Sequence, residues 1–372
     1  MNHIMKTREN IFSIPPKSFD IDICGFCNLS CRYCPEGQKL NQQPLKFMSF
    51  GNFIEIFNQM PTGLTNIGLT NWSEPFLNKE IIKIIKYVNA KRPGVKIWVS
   101  SNGNAFRDDL AAQAVLAGLD YLEITISGLT DAIYQKYHQK GKLERVFRAI
   151  DEITTTKQKH GLTKPHLTIN YLLFPYNIVN EVEIKRILRE KLSYPELLNF
   201  VDGIRIVRGT MLGTQKALQH IASECPEAGG LFKDTTHFRN LCLQLFLNPA
   251  VRADGAVFPC CIAEYRDDLI MGNLHENSFL AIWHSEKYQT FRSTFLSGQN
   301  PVCNSCFLKY SPLPIFKLNN FPLRLKMNSK LLIQQILKNV FLADRFVLKS
   351  RLLKYWVQQR LSKNLASQIE ER

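Results

Sequence analysis

The stretch Cys27-Asn28-Leu29-Ser30-Cys31-Arg32-Tyr33-Cys34-Pro35 decides the fold. It sets three thiols at x3 and x2 spacings on one short segment. That segment follows Phe19-Asp20-Ile21-Asp22-Ile23, which reads as a strand opening into a loop. Three thiolates on one loop suit three irons of a [4Fe–4S] cube and leave the fourth iron open to a small molecule. The end of a strand in a parallel barrel is also where active sites collect. Zinc completed by a distant ligand is the bland alternative, but structural zinc favours paired two-ligand knuckles.

Outward from this segment the chain keeps a strand-then-helix rhythm to about residue 208. The strands read as 19–26, 65–72, 95–103, 121–128, 166–174 and 201–209, and the helices between them carry apolar residues at 3.6 spacing. Phe50, Phe53, Ile54 and Phe57 mark the first helix, Asn78 is expected to cap the second, and 131–141 is expected to be helical throughout. Six β/α steps with strongly apolar strands predict an α/β fold with a parallel sheet covered by helices. Eight would close a barrel, so the expectation is a partial, open (β/α)6 TIM-like barrel, with a doubly wound sheet as the alternative. After about residue 235 the rhythm gives way to a small hairpin turning at Asp254-Gly255 and a short helical stretch. The domains read as an N-terminal segment 1–18, the barrel 19–234, a cysteine module 235–310 and a tail 311–372.

The chain has 372 residues, 45% of them hydrophobic and 21% charged, enough apolar material for a full core and too much for general disorder. No apolar run reaches membrane-span length, and Met1–Lys17 lacks the apolar core of a signal peptide. The expected location is cytoplasmic. In a reducing compartment ten clustered cysteines read as metal ligands.

With these residues in place, the sequence resembles the radical S-adenosylmethionine (SAM) superfamily. The resemblance implies that SAM chelates the open iron and is cleaved reductively to methionine and a 5′-deoxyadenosyl radical, which takes hydrogen from a substrate. It implies an electron donor such as flavodoxin or ferredoxin. Tyr33 stands where the family places an aromatic near the adenine. The family's Gly-Gly-Glu-Pro turn reads Trp72-Ser73-Glu74-Pro75 here, keeping the Glu-Pro and losing both glycines. Ser101 and Asn102 match the third-strand Ser-Asn-Gly, Ser127 the fourth-strand Ser turn, and Asn170 points inward on the fifth strand. Each has a plain alternative as a satisfied hydrogen-bonding group at a strand end. Arg205 and Arg208, on the sixth strand, are the basic groups nearest the pocket and the candidates for a catalytic or anion-binding role.

A second group, Cys242, Cys260, Cys303 and Cys306, offers four thiolates, and spacing alone leaves an auxiliary [4Fe–4S] cluster and zinc equally open. The hairpin, Pro259-Cys260-Cys261 and the closing Cys303-x2-Cys306 resemble a shortened SPASM, or twitch, domain. That resemblance implies an auxiliary [4Fe–4S] cluster. Cys260 is preferred to Cys261 because it directly follows Pro259, and Cys24 and Cys225 read as buried, inert thiols.

Net charge is +15, and residues 307–372 hold 13 Lys/Arg against 3 Asp/Glu. The tail pattern suits a basic amphipathic helix, either docked on the protein or lying on an anionic membrane at the inner face. No nucleic-acid-binding module is recognisable. The implied activity is that of a radical SAM enzyme oxidising or epimerising a carbohydrate- or cyclitol-like metabolite. Maturation of a ribosomally made peptide is the second reading, and a non-catalytic zinc- or nucleic-acid-binding protein the third.

Overall fold

Six parallel strands cross the sheet in chain order: β1 (Ser18–Ile21), β2 (Asn66–Gly68), β3 (Lys96–Ser101), β4 (Tyr121–Ile126), β5 (His166–Leu173) and β6 (Gly203–Arg208). This is a computed structural model, and it describes residues 15–39, 47–208, 244–261 and 266–306. All of them fall in the compact unit Phe12–Lys317; a second unit, Met1–Ile11 with Leu318–Arg372, contains none of them. Cys225, Cys242, the expected boundary at 234/235 and the basic tail therefore lie outside the described residues.

A doubly wound sheet reverses its order at an inner strand. The unbroken sequence from β1 to β6 is instead that of an open barrel. The connecting helices are α1 (Phe50–Asn58), α2 (Ile81–Lys91), α3 (Leu110–Leu116), α4 (Asp131–Tyr134), α5 (Leu143–Lys159) and α6 (Glu181–Lys191). Strand alternation divides the sheet into two faces. In β4, Leu122, Ile124 and Ile126 are buried in one apolar core with Val146, Ile150 and Ile153 of α5. Each such side chain contributes about 1.5–3 kcal/mol by leaving water. Glu123 and Thr125 alternate with them and turn to the opposite, inner face. The in-register partners Thr125, Asn170 and Arg205 continue that polar face across β5 and β6.

Two local expectations change. Only Asp131–Tyr134 of the segment 131–141 is α-helical, because the carbonyls of Tyr137 and Gln139 accept from the amides of Arg32 and Ser30. Tertiary pairing with the cysteine loop outweighs helical propensity there. Asn78 does not cap α2 directly. Its amide reaches the carbonyls of Ile23 and Met48, while its Oδ1 takes the Glu80 amide at 2.9 Å, tying the β1 exit to the start of α1 and α2.

The sheet does not stop at β1. After α7 (Gln244–Leu247), β7 (Ala250–Val251) pairs parallel with β1, and β8 (Ala256–Phe258) and β9 (Gly272–Asn273) follow antiparallel, giving nine strands. Gly255 closes the β7–β8 hairpin at φ +82°, where a Cβ would come within 2.7 Å of His275. Then come α8 (Phe279–Trp283), α9 (Glu286–Leu296) and α10 (Pro301–Ser305). The cysteine module thus begins as an extension of the barrel sheet. Among the described residues, no helix is long and apolar enough to cross a membrane.

Candidate active site at the end of the first strand

The loop after β1 is held from three directions. The amides of Ser30 and Arg32 pair with the carbonyls of Gln139 and Tyr137 at 3.1 and 3.0 Å. Gln38 Nε2 returns to the Cys31 carbonyl at 2.8 Å. Gly37 lies so close that a Cβ would stand 2.5 Å from the Cys31 nitrogen, so only glycine fits there. Cys27, Cys31 and Cys34 pack together in one cluster with Leu29, Tyr33, Tyr137, Leu172 and Phe174.

The electrostatics of this loop fit an iron–sulfur group. Burial, with Glu74 next in effect, pushes the Cys27 thiol up to about 12. Burial and the neighbouring thiols hold Cys31 well above the ordinary range, and burial raises Cys34. Thiols in such a setting ionise only beside a strong positive charge, which bound iron provides. Donors already face the sulfur: the Leu29 amide lies 3.5 Å from Cys27 Sγ, and Asn102 Nδ2 lies 3.4 Å from it. Cys24 is fully buried with its thiol on the Phe26 carbonyl at 3.3 Å, as an inert cysteine would be.

The polar residues expected around SAM fall into two groups. Asn102 reaches the cluster loop, bonding Asn28 Oδ1 at 2.9 Å as well as Cys27. Ser101, Glu74 and Ser127 form hydrogen bonds within the protein. Glu74 is buried and accepts from the Ser101 hydroxyl at 2.9 Å, the Asn102 amide at 2.8 Å and the Phe76 amide at 3.2 Å. Burial raises its carboxyl to about 7 against those bonds. Ser127 Oγ lies 2.6 Å from His138 Nδ1 and 3.2 Å from the Tyr134 carbonyl, which ties it to the turn after β4. The physical reason is common to all three: buried polar groups take the nearest protein partner.

Ser73 donates to Asp22, whose other oxygen receives the Trp72 amide at 3.3 Å. Tyr33 sits in an aromatic cluster, its ring centroid 5.9 Å from that of Phe174 and 6.2 Å from that of Tyr137. Asn170 Oδ1 accepts from Arg205 Nε at 3.1 Å, and Arg205 also pairs with Glu123. Arg208 is the last residue of β6.

Sequence reasoning passed over Asp22, Glu36 and His138. Asp22 carried a signal: Asp20 and Asp22 alternate with Phe19, Ile21 and Ile23, placing two carboxylates on the inner face of β1. Glu36 is buried and raised to about 7, by burial first and then by Asp22, with the Cys27 backbone opposing. Nothing in its surroundings in the sequence marks it.

The second cysteine group is partly described. Asn300 caps α10 by accepting the Cys303 amide at 3.1 Å, and the Cys306 amide turns back to the Cys303 carbonyl at 3.3 Å. Cys260 follows Pro259, whose carbonyl takes the Tyr288 hydroxyl at 3.3 Å, and packs against the buried group of Ala250, Ala256, Phe258 and Leu269, as do Phe291, Val302, Ile270 and Trp72. Cys260 is half-buried and Cys261 is buried.

Comparison with known proteins agrees with this arrangement. Residues 21–188 match the radical SAM superfamily and residues 242–307 the SPASM iron–sulfur cluster-binding domain. The chain belongs to the radical SAM superfamily, with a C-terminal SPASM domain. The cofactors of this pairing are a [4Fe–4S] cluster with SAM and auxiliary iron–sulfur binding in the SPASM region.

GTP 3′,8-cyclase of Synechococcus elongatus is 30% identical over 190 residues, half of each chain. The chain spans about half the length of the curated relatives it matches. The structure of SuiB from Streptococcus suis bound to S-adenosylmethionine is 14% identical with a TM-score of 0.55, over 84% of this chain and 75% of that one. BtrN in complex with AdoMet and 2-DOIA is 15% identical with a TM-score of 0.47, over 81% and 97%. SuiB shares the fold.

Proposed function

We propose that this chain is a radical SAM enzyme. In this reading Cys27, Cys31 and Cys34 hold the [4Fe–4S] cluster that binds SAM. Cys260, Cys303 and Cys306, with Cys242, hold an auxiliary one. When bound, the first cluster supplies the electron that cleaves SAM to methionine and a 5′-deoxyadenosyl radical. The protein's own contributions are shape and charge. Asn102 and the Leu29 amide donate to the Cys27 sulfur, and the aromatic wall around Tyr33 excludes water from the loop. The observation carrying the proposal is that Cys31, buried, and Cys27 and Cys34, half-buried, share one packed cluster on a glycine-pinned loop at the end of β1.

The substrate reading is a small polar metabolite of the carbohydrate or cyclitol type. It is supported by the inner-face network of Glu123, Thr125, Asn170 and Arg205, which suits a ligand rich in oxygen. The relatives named GTP 3′,8-cyclase also take, by name, a polar small molecule. A peptide substrate is the second reading, favoured by the fold shared with SuiB, a structure of which holds its precursor peptide SuiA. A flavodoxin or ferredoxin as donor and a cytoplasmic location complete the proposal.

The test is anaerobic incubation of the reduced, cluster-loaded chain with SAM, alone and with panels of cyclitols, nucleotides and peptides, scoring 5′-deoxyadenosine. Formation of 5′-deoxyadenosine, stimulated by one class, supports the reading. A chain carrying both clusters that forms none under any condition overturns it.

A further inference from the structure

We propose that Trp72 is a positioning residue for SAM. Its indole seats the turn Trp72-Ser73-Glu74 on the wall of the auxiliary-cluster pocket, so one structural element serves both cofactor sites. The inference rests on the functional reading above, in which the Cys27 loop that this turn braces carries the cluster that binds SAM.

Three observations carry it. First, the turn carries at Trp72 the largest side chain available, just ahead of Ser73 and Glu74. A residue of that size in a short turn needs a place for its ring. Second, the ring does have a place. It packs with Cys260, Phe291, Val302 and Ile270 against Ala250, Ala256, Phe258 and Leu269, which form the apolar wall of the auxiliary module. Its indole nitrogen is buried and makes no hydrogen bond among the described residues, so packing is what holds the ring.

Third, the same turn is tied by polar bonds to the first cluster loop. The Trp72 amide and the Ser73 hydroxyl both bond Asp22. The Glu74 amide donates to the Phe26 carbonyl at 3.1 Å, one residue before Cys27. The Glu74 carboxylate receives the Asn102 amide, and the Asn102 side chain reaches Cys27 Sγ. Asp22 is itself fixed to the other module, since its amide donates to the Val251 carbonyl at 2.8 Å. The turn is therefore clamped between the thiols of one site and the wall of the other. Two sites that share one clamped element share free energy, and the sharing is reciprocal.

SAM itself is the probe. Its dissociation constant is measured by anaerobic equilibrium dialysis without reductant, so that no cleavage occurs, on full-length cluster-loaded chains. Trp72→Ala is expected to keep the parental iron content and to weaken SAM binding about tenfold, in the usual range for coupled sites. Trp72→Phe, which keeps an aromatic ring for the wall, is expected to stay within about twofold of the parent, an inference from the packing role. The Cys303→Ser/Cys306→Ser chain, lacking the auxiliary cluster, is expected to weaken binding similarly. Adding Trp72→Ala to it should cost little more, because both changes act through the same contact.

Parental affinity in Trp72→Ala overturns the inference. Should that variant lose iron, the double-cysteine chain decides alone, and parental affinity there overturns the inference too. A parent chain carrying both clusters that binds no SAM overturns the functional reading instead, so the two failures are distinguishable.

Discussion

Asn102, at the end of β3, donates its side-chain amide to the sulfur of Cys27, on the loop after β1, across 3.4 Å. A donor aimed at a thiolate sulfur withdraws charge from it and makes an attached iron–sulfur centre easier to reduce. Asn102→Leu should keep the iron of the first site and lower its midpoint potential by on the order of 50 mV, close to the 59 mV of a tenfold one-electron change. An EPR-monitored redox titration reads this directly. A potential that does not move would show the contact to be structural only.

Changing Cys27, Cys31 or Cys34 singly to Ala should remove about one cluster's iron and abolish reductive cleavage of SAM, because only three thiolates hold the cube. Cys303→Ala/Cys306→Ala should instead lose about four irons per chain, the content of one [4Fe–4S] group, and still cleave SAM slowly. Iron analysis after anaerobic reconstitution, run beside a 5′-deoxyadenosine assay, separates the two sets. Parental iron in the second variant would remove the auxiliary assignment.

Gly37→Ala puts a methyl 2.5 Å from the Cys31 nitrogen, against backbone that cannot rotate away. The loop must open to admit it, at a cost of about 1–3 kcal/mol. The expected outcome is a lower melting temperature and poor retention of the first cluster on gel filtration. A variant with parental iron and melting temperature would mean that the loop closes in some other way.

His138 is buried, and burial lowers its imidazole to about 3. The group's folded value lies below its unfolded value near 6.5, so the fold is favoured where His138 is neutral in both states. That stability is fully present above about pH 6.5 and is lost as pH falls toward 3, at up to about 1.4 kcal/mol per pH unit from this one group. Replacing it by Gln should flatten the acid limb of the stability profile, measured by denaturant titration between pH 7 and 4. An unchanged slope would place the acid sensitivity elsewhere.

Arg205 is about half exposed and pairs with Glu123. An exposed pair contributes about 1 kcal/mol or less to stability. Arg205→Met should therefore leave folding, iron content and uncoupled SAM cleavage near parental values while removing stimulation by substrate. Loss of uncoupled cleavage would assign Arg205 to SAM instead.

The strand order and the cysteine loop were legible because their signals are local: apolar runs at period 2, helical stripes and thiols at fixed spacing. What was not legible depends on partners far apart in the chain. That Ser127 lies 2.6 Å from His138 is not written near either residue. Nor is the bond from Ser101 to Glu74, 27 positions earlier. Nothing local to residues 135–141 says that their carbonyls will be needed by Ser30 and Arg32. Nor does a two-residue strand at Ala250–Val251 announce that its partner is β1.

That last pairing has a consequence for how the protein is made. The strand that launches the cysteine loop has β2 on one side, but its other edge is covered only when β7 arrives; Asn248, just before β7, bonds Asp20 from 228 positions further along. Until the ribosome has passed that point, β1 presents a bare edge of unpaired amides and carbonyls, the kind of edge that recruits foreign strands. Contacts so distant in sequence are also slow to form. Metal delivered to Cys27, Cys31 and Cys34 before β7 has docked would meet a loop whose base is still unanchored. Cluster insertion is therefore expected to succeed late, on the finished chain, and strains that overproduce this protein should accumulate iron-free aggregate when synthesis outruns folding.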